Sequence, residues 1–423
     1  MTATNGHDAT IDSRVGRGRA LVLIAAFLGW MFDGLEMGIF PLVARPALQQ
    51  MQNGGGIAPD AFVGRWMGII TALFLLGAAV GGLIFGWLGD RVGRVRAMSL
   101  SILCYSVFTG VTYFAQTPWQ LGGLRFLAAL GMGGEWALGV ALVMEVWPER
   151  HRPMLAGVIG AAANIGFVLI GLVAFRFHVT QDNWRFVLLV GALPAVLTFF
   201  VRMFVPESER WKHAAAGPVQ QPLREVLSVR HLRSTLLATA FCGIALIGTW
   251  GSVQWLPLWA DQMTGGTLPT AKAHTAMVSG FGAVVGCLLG GFLGGRVSRR
   301  LGYFLLCLGS LIVCALLFRG VTDYGTAFLV LTFLTGGFTA AFYGWFPLYL
   351  PELFPTRIRA TGQGLAYNAG RVLAAIGALQ MGALMQQFDG SYARAGAVIT
   401  LIYGVGLILV WVAPETHGRP LPE

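Results

Sequence analysis

The segment Gly86-Trp-Leu-Gly-Asp90-Arg91-Val-Gly93-Arg94-Val-Arg96 crowds charge between two apolar runs, 66–88 and 97–115. On a soluble surface such charge is ordinary. Flanked on each side by about twenty apolar residues, it must form a tight hairpin at a membrane face. The glycines permit close backbone approach, Asp90 can cap or pair at a helix end, and the arginines hold the loop on the cytoplasmic side. A related stretch follows 205 residues later as Gly291-Phe-Leu293-Gly-Gly295-Arg296-Val-Ser298-Arg299-Arg300, with Gly in place of the Asp and Ser in place of the second Gly. The chain is therefore a duplicated object, and this loop is its signature.

Composition agrees with lipid as the solvent. Charged residues make up 11% of the chain and the mean hydropathy is +0.68, whereas soluble domains carry about 25% charged residues. The net charge of +10 does not point to nucleic acid, because the basic residues lie in short clusters between apolar runs and form no stripe interleaved with aromatics. Cys104, Cys242, Cys287, Cys307 and Cys314 lie inside apolar runs without metal-ligand spacing and read as small buried hydrophobes. No metal site is expected.

Apolar runs long enough to span occur at 20–44, 66–88, 97–115, 119–145, 154–175 and 185–204, then at 234–260, 275–295, 301–319, 326–350, 362–385 and 392–413. That is two sets of six. The first run exceeds a signal-peptide core and reads as a first spanning helix. With the N-terminus inside, 20 of the 29 Lys and Arg residues fall on cytoplasmic segments and 7 on outer ones, which fixes both termini in the cytoplasm. The expected organisation is a tail at 1–18, an N-terminal six-helix bundle at 19–205, a linker at 206–233, a C-terminal bundle at 234–413 and a tail at 414–423, in the inner (plasma) membrane.

Two further motifs repeat. Glu145-Val-Trp-Pro148-Glu-Arg150-His-Arg152 returns 207 residues later as Glu352-Leu-Phe-Pro355-Thr-Arg357-Ile-Arg359, and Val205-Pro-Glu-Ser-Glu mirrors Ala413-Pro-Glu-Thr-His at 208. Two parallel six-helix repeats with a midplane site between them is a transporter architecture. With these motifs after spans two, four, eight and ten, the chain resembles the major facilitator superfamily over essentially its whole length. The resemblance implies an all-α membrane protein of two pseudo-symmetric bundles working by alternating access.

Ionisable residues inside spans are costly unless paired or wet, so they mark function. Asp33 and Glu36 in span one share a helix face; span four carries Arg125 and Glu135; span eleven carries Asn368 and Arg371. From the helical rise, Glu36 lies roughly 12 Å and Arg125 roughly 9 Å below the outer ends of their spans. They should form a buried pair, either a static brace or a proton switch in which protonation of the acid breaks the pair. The resemblance adds that sugar porters and related proton symporters pair a span-one acid with a span-four arginine. Asp33-Gly-Leu-Glu36 is also similar to a span-one stretch of aromatic-acid/proton symporters, and Arg125 to Trp136 is similar to span four of metabolite, sialic-acid and sugar porters. Span five lacks the Gly-Pro pair of drug/proton antiporters.

Arg371 lies roughly 15 Å from the inner end of its span, near the midplane, with no acid of the C-terminal spans at its depth. Such a guanidinium either binds a carboxylate or is spent on helix carbonyls, Asp33 or Glu135. The repeat places it opposite Asn164. Gln254, Tyr343 and Tyr367 are expected as further substrate contacts, with Trp255 and Trp345 nearby. Gly86, Asp90, Arg91, Gly93 and Arg94 are expected as a gating loop braced by Glu145 and Arg150; the copy at 295–300 is expected chiefly to fix topology.

No phosphate-cradling loop, zinc spacing or nucleophile–base set occurs, and His178, His213 and His274 are isolated. The expectation is a monomeric transporter rather than an enzyme. It needs no cofactor, and its partners are the bilayer, protons and a small organic anion carried by symport. The alternatives are a sugar or polyol porter with a neutral substrate, and a transport-dead sensor signalling through its short linker.

Overall fold

The computed structural model describes residues 5–52, 59–147, 151–196, 200, 204–205, 222–355, 358–419 and 422. Among them the chain is mainly helical, without a strand. We number the spanning helices in order: α1 Asn5–Gln50, α2 Pro59–Val92, α3 Arg94–Val111, α4 Pro118–Val146, α5 Arg152–Phe177 and α6 Trp184–Val190. In the second half α7 runs Val229–Gly251 and resumes as Leu256–Met263, followed by α8 Ala271–Arg296, α9 Arg299–Gly320, α10 Thr326–Glu352 and α11 Arg359–Gln387. Last, α12 runs Tyr392–Ile399 and Ile402–Leu409. Nine segments among the described residues are long and apolar enough to cross a bilayer. The others are α4, α6 and α11; of these α4 and α11, each 29 residues, hold the interior charges Arg125, Glu135 and Arg371.

Sequence dictates the punctuation. Between α2 and α3 the backbone turns at Gly93 with φ 110°, a conformation that side chains disfavour and glycine adopts freely. At α4, Pro118 occupies the first turn, where its missing N–H is no loss, and the Thr117 hydroxyl accepts from Gln120 N. Apolar counting runs straight through 234–260, but α7 breaks at Ser252, and a 3-10 turn Val253–Trp255 re-phases the helix before Pro257.

The packing obeys a pseudo-two-fold exchange of α1–α6 with α7–α12. In one half α1 packs on α5 and α2 on α4; in the other α7 packs on α11 and α8 on α10. Between the halves α2 meets α11, as α8 meets α5. Small residues allow these approaches. A Cβ on Gly34 of α1 would collide with the Ala163 carbonyl of α5, and one on Gly166 of α5 with the Met31 carbonyl of α1. Gly133 of α4 rides likewise on the Ala78 carbonyl of α2. By connectivity the α2–α3 and α8–α9 turns share one face, called here the terminal face, and Arg45 lies at the opposite one, with the α1–α2 and α7–α8 connections.

Candidate functional site

A cavity of about 110 Å³ lies where the halves meet, walled from both of them. Trp30, Asp33 and Met37 reach it from α1, Phe74 and Ala78 from α2, Met132 from α4, and Asn164 and Phe167 from α5. From the second half come Thr249, Trp250 and Gln254 of α7, Ser279 of α8, Thr339 and Tyr343 of α10, and Tyr367 and Arg371 of α11. Among the lining residues the charged ones are Asp33 and Arg371.

Arg371 is not the unpaired guanidinium that its depth implied. Its Nη1 donates to the carbonyls of Ala78 (3.3 Å) and Gly133 (3.2 Å) and to Asn368 Oδ1 (3.0 Å). These bonds reach from α11 into α2 and α4, so the residue ties the halves together. Its guanidinium also lies 4.9 Å from the centre of the Tyr367 ring, which stacks on Trp136 at 4.4 Å. Besides Tyr367, three of the expected contacts face the cavity. Asn164 Nδ2 donates to the Gly160 carbonyl (3.2 Å) and to Cys287 Sγ (3.4 Å), the Tyr343 hydroxyl donates to Thr249 Oγ1 (3.1 Å), and Gln254 sits on the α7 turn.

One expected contact needs correction, and the two tryptophans expected nearby belong to the packing. Asn368 does not line the cavity; it stands behind Arg371, against Gly82 of α2, and fixes that guanidinium. Trp255 is turned into the core by the α7 break, its Nε1 donating to the Trp250 carbonyl at 3.1 Å. Trp345 packs in the second-half core against Tyr303 and Tyr349.

Glu36 and Arg125 do meet. They form a buried ion pair, 0% and 2% exposed at the side chain. The Thr109 hydroxyl of α3, a partner that no sequence motif signalled, donates to the same oxygen, Oε1, at 2.9 Å. The second oxygen, Oε2, is buried with no hydrogen-bond partner among the described residues. Phe40 and Phe74 cover the guanidinium, their ring centres 5.4 and 4.8 Å from its carbon. Asp33 and Glu135 form a second acidic station. The Glu135 carboxyl fills the space that a Cβ on Gly29, one turn before Asp33, would need. No donor from any other described residue reaches the oxygens of either carboxyl.

The two faces differ. At the opposite face Arg45 of α1 bridges Asp60 of α2 and, across the halves, Asp261 of α7, each at 2.9 Å, while Lys272 of α8 stands 3.8 Å from Asp261. At the terminal face Arg91 is exposed over its own Trp87 (4.5 Å), Gly86 has no close neighbour, and Arg94 is half-buried at the head of α3. The side chains of Asp90 and Glu145, and Arg150 entirely, lie outside the described residues. The repeat copy does more than fix topology: Arg299 forms a two-point pair with Glu352 (2.6 and 2.8 Å), Thr416 donates to Glu352 (2.6 Å), and Glu415 accepts the amides of Arg299 and Arg300.

Comparison with known proteins agrees with this architecture. The pattern of the Major Facilitator Superfamily matches residues 20–378. A "Putative metabolite transport protein" of Haemophilus influenzae is 29% identical, covering 94% of this chain and 97% of its own. The "Cis,cis-muconate transport protein" of Acinetobacter baylyi is 30% identical over 75% of this chain and 78% of its own. Among solved structures, the xylose transporter XylE from E. coli in a partially occluded inward open conformation superposes with a TM-score of 0.77 at 16% identity, covering 95% of this chain and 99% of that one. The paired repeats, the cavity between two six-helix bundles and these likenesses lead to one assignment: the chain is a multi-pass membrane protein of the Major Facilitator Superfamily, a secondary transporter and not an enzyme.

Proposed function

We propose that this transporter carries a small organic acid together with protons. The observation that carries the reading is the cavity wall: one guanidinium, Arg371, set in a surface otherwise mainly apolar and aromatic, at the junction of the halves. Among the described residues its bonds to Ala78, Gly133 and Asn368 all use Nη1, and the planar fork suits a carboxylate. Phe74, Trp250, Tyr343 and Tyr367 offer flat faces to an unsaturated body. The name of the muconate relative is consistent with such a cargo.

Proton coupling rests on Glu36. Arg125 and Thr109 hold one of its oxygens and leave Oε2 to receive a proton. Protonation removes the attraction to Arg125 and weakens the conformation that the pair stabilises. Asp33, on the cavity wall beside Glu135, offers a relay between this station and the cargo. We read the terminal face as cytoplasmic, from the bias of Lys and Arg, and the membrane as the inner (plasma) membrane, with a monomer as the working unit. Opening at the other face would part Arg45 from Asp261.

A second reading, a neutral sugar or polyol porter, draws on Asn164, Thr249, Gln254, Ser279 and Thr339, which line the cavity with hydroxyls and amides. In that case Arg371 only braces α2 and α4. Counterflow in proteoliposomes with radiolabelled benzoate, cis,cis-muconate and xylose separates the two. Exchange of an acid that is lost in Arg371→Ala supports the anion site; xylose exchange indifferent to Arg371→Ala replaces it with the sugar porter.

A further inference from the structure

We infer that Phe74 is the side chain through which the buried Glu36–Arg125 pair and the substrate cavity sense one another. This rests on the proton-coupled reading above. Neither Glu36 nor Arg125 lines the cavity, so beside the proton relay at Asp33 a mechanical link needs a body that touches both compartments. Phe74 of α2 is such a body. One contact of its ring is the Arg125 guanidinium, 4.8 Å from the ring centre. Another is Trp250 of α7, with ring centres 5.5 Å apart at an angle of 39°. Phe74 and Trp250 both line the cavity, and they belong to different halves. Phe74 therefore joins the ion pair, the cavity wall and the seam that must open and close.

The physical consequence follows from the quadrupole of the ring. While Glu36 is ionised, the guanidinium is held chiefly by the carboxylate. Once Glu36 is neutral, the positive charge remains and ring faces become its main remaining attraction, so Arg125 settles against Phe40 and Phe74. Phe74 is buried in a close-packed interior, where a displaced ring must move its neighbours. Its neighbour across the seam is Trp250. In the other direction, a cargo seated against Phe74 and Trp250 presses the ring toward or away from Arg125 and so changes how tightly Glu36 is held. The charged and titratable groups around this region are Asp33 and Glu36 of α1, Tyr105 of α3, Arg125 and Glu135 of α4 and Arg371 of α11. Phe74 has no charge of its own, which makes it a transmitter and not a further proton site.

A measurement independent of turnover isolates this role. In proteoliposomes with a fixed pH gradient, the opposing gradient of labelled benzoate or cis,cis-muconate at which net flux vanishes reports coupling, whatever the rate. Wild type is expected to balance at a non-zero substrate gradient. Phe74→Leu is expected to move that balance point at least halfway toward zero, Trp250→Leu to move it in the same direction, and Phe74→Tyr, which keeps the ring, to leave it at the wild-type value. A Phe74→Leu protein that transports slowly but balances where wild type does overturns the inference. So does a Phe74→Tyr protein shifted as far as Phe74→Leu, since only side-chain fit would then matter. If wild type itself balances at zero substrate gradient, the proton-coupled reading fails, and the inference falls with it.

Discussion

Glu36 of α1 and Arg125 of α4, 89 residues apart in sequence, form an ion pair in the dry interior of the first bundle. Two charges brought so far from water are tolerable only together: removing one partner of a buried pair typically costs about 3–5 kcal/mol. The two single substitutions should still differ. Both strand one charge, but Glu36→Gln keeps shape and an oxygen for Thr109 and Arg125, whereas Arg125→Ala also empties the space of a large buried side chain. In detergent, Arg125→Ala is expected to lower the unfolding temperature clearly more than Glu36→Gln, as read by a thermal shift assay.

In the proposed binding mode Arg371 would turn its fork to the cargo while Nη1 stays on Ala78, Gly133 and Asn368. A hydrogen bond to a charged group is worth about 1.5–3 kcal/mol, which is about 10–150-fold in affinity. Arg371→Ala should weaken binding of a transported carboxylate by about that factor in titration calorimetry. Arg371→Lys should recover only part of it, because an ammonium lacks the planar fork.

Much of this was legible in the sequence, and the misses have physical causes. Glu36 and Arg125 could be matched because both helices cross the same slab, so depth alone brings them level. Depth could not show that Arg371 would be spent partly on carbonyls. That depends on Gly82 and Gly133, which let α2, α4 and α11 come close enough for Ala78 and Asn368 to meet the guanidinium. Gln254 and Trp255 are adjacent, yet one faces the cavity and the other the core, because the turn at Ser252 resets the helical phase. Thr109 carries no charge and repeats in no motif. It becomes informative only when α3 is seen beside Glu36.

Contact between α1 and α5 depends on the absence of a side chain at Gly34, which packs on the Ala163 carbonyl. Gly34→Val should force the helices apart at the level of Asp33 and Glu36. Overpacking of this kind costs about 1–3 kcal/mol. Reduced yield of folded protein and loss of exchange together are expected, whereas Gly18→Ala, at a position with no neighbour within 4 Å, should change neither. Size-exclusion profiles and counterflow rates check this.

At the opposite face Asp261 holds Arg45 at 2.9 Å and stands 3.8 Å from Lys272. Asp261→Asn removes both attractions at nearly constant volume. A loss of about 1.4 kcal/mol would raise the population open at that face roughly tenfold. Labelling of a cysteine placed at Ser279 on the cavity wall by a membrane-impermeant maleimide added from that face should accelerate accordingly, in a background without the native cysteines.

The Glu415 carboxyl, beyond the last span, is raised by its partial burial, but amide donors at His417, Arg299 and Arg300 outweigh this and hold it below its ordinary value of 4.5. A depressed carboxyl stabilises the fold above its unfolded value and loses that contribution as pH falls through its folded value. The brace on the head of α9 should be intact at neutral pH and released only below about pH 4.5. Hydrogen exchange at the Arg299 and Arg300 amides, followed from pH 6 to pH 3, should accelerate beyond the intrinsic rate in that acid range in wild type and at every pH in Glu415→Gln.

The central claim is that a proton taken up at Glu36 drives accumulation of an acid bound at Arg371. The most direct measurement compares counterflow of a labelled carboxylate, without a gradient, with its accumulation under an imposed pH gradient, in wild type and Glu36→Gln. Wild type should accumulate the acid above equilibrium, and Glu36→Gln should still exchange it while failing to concentrate it. Undiminished accumulation by Glu36→Gln would contradict the account.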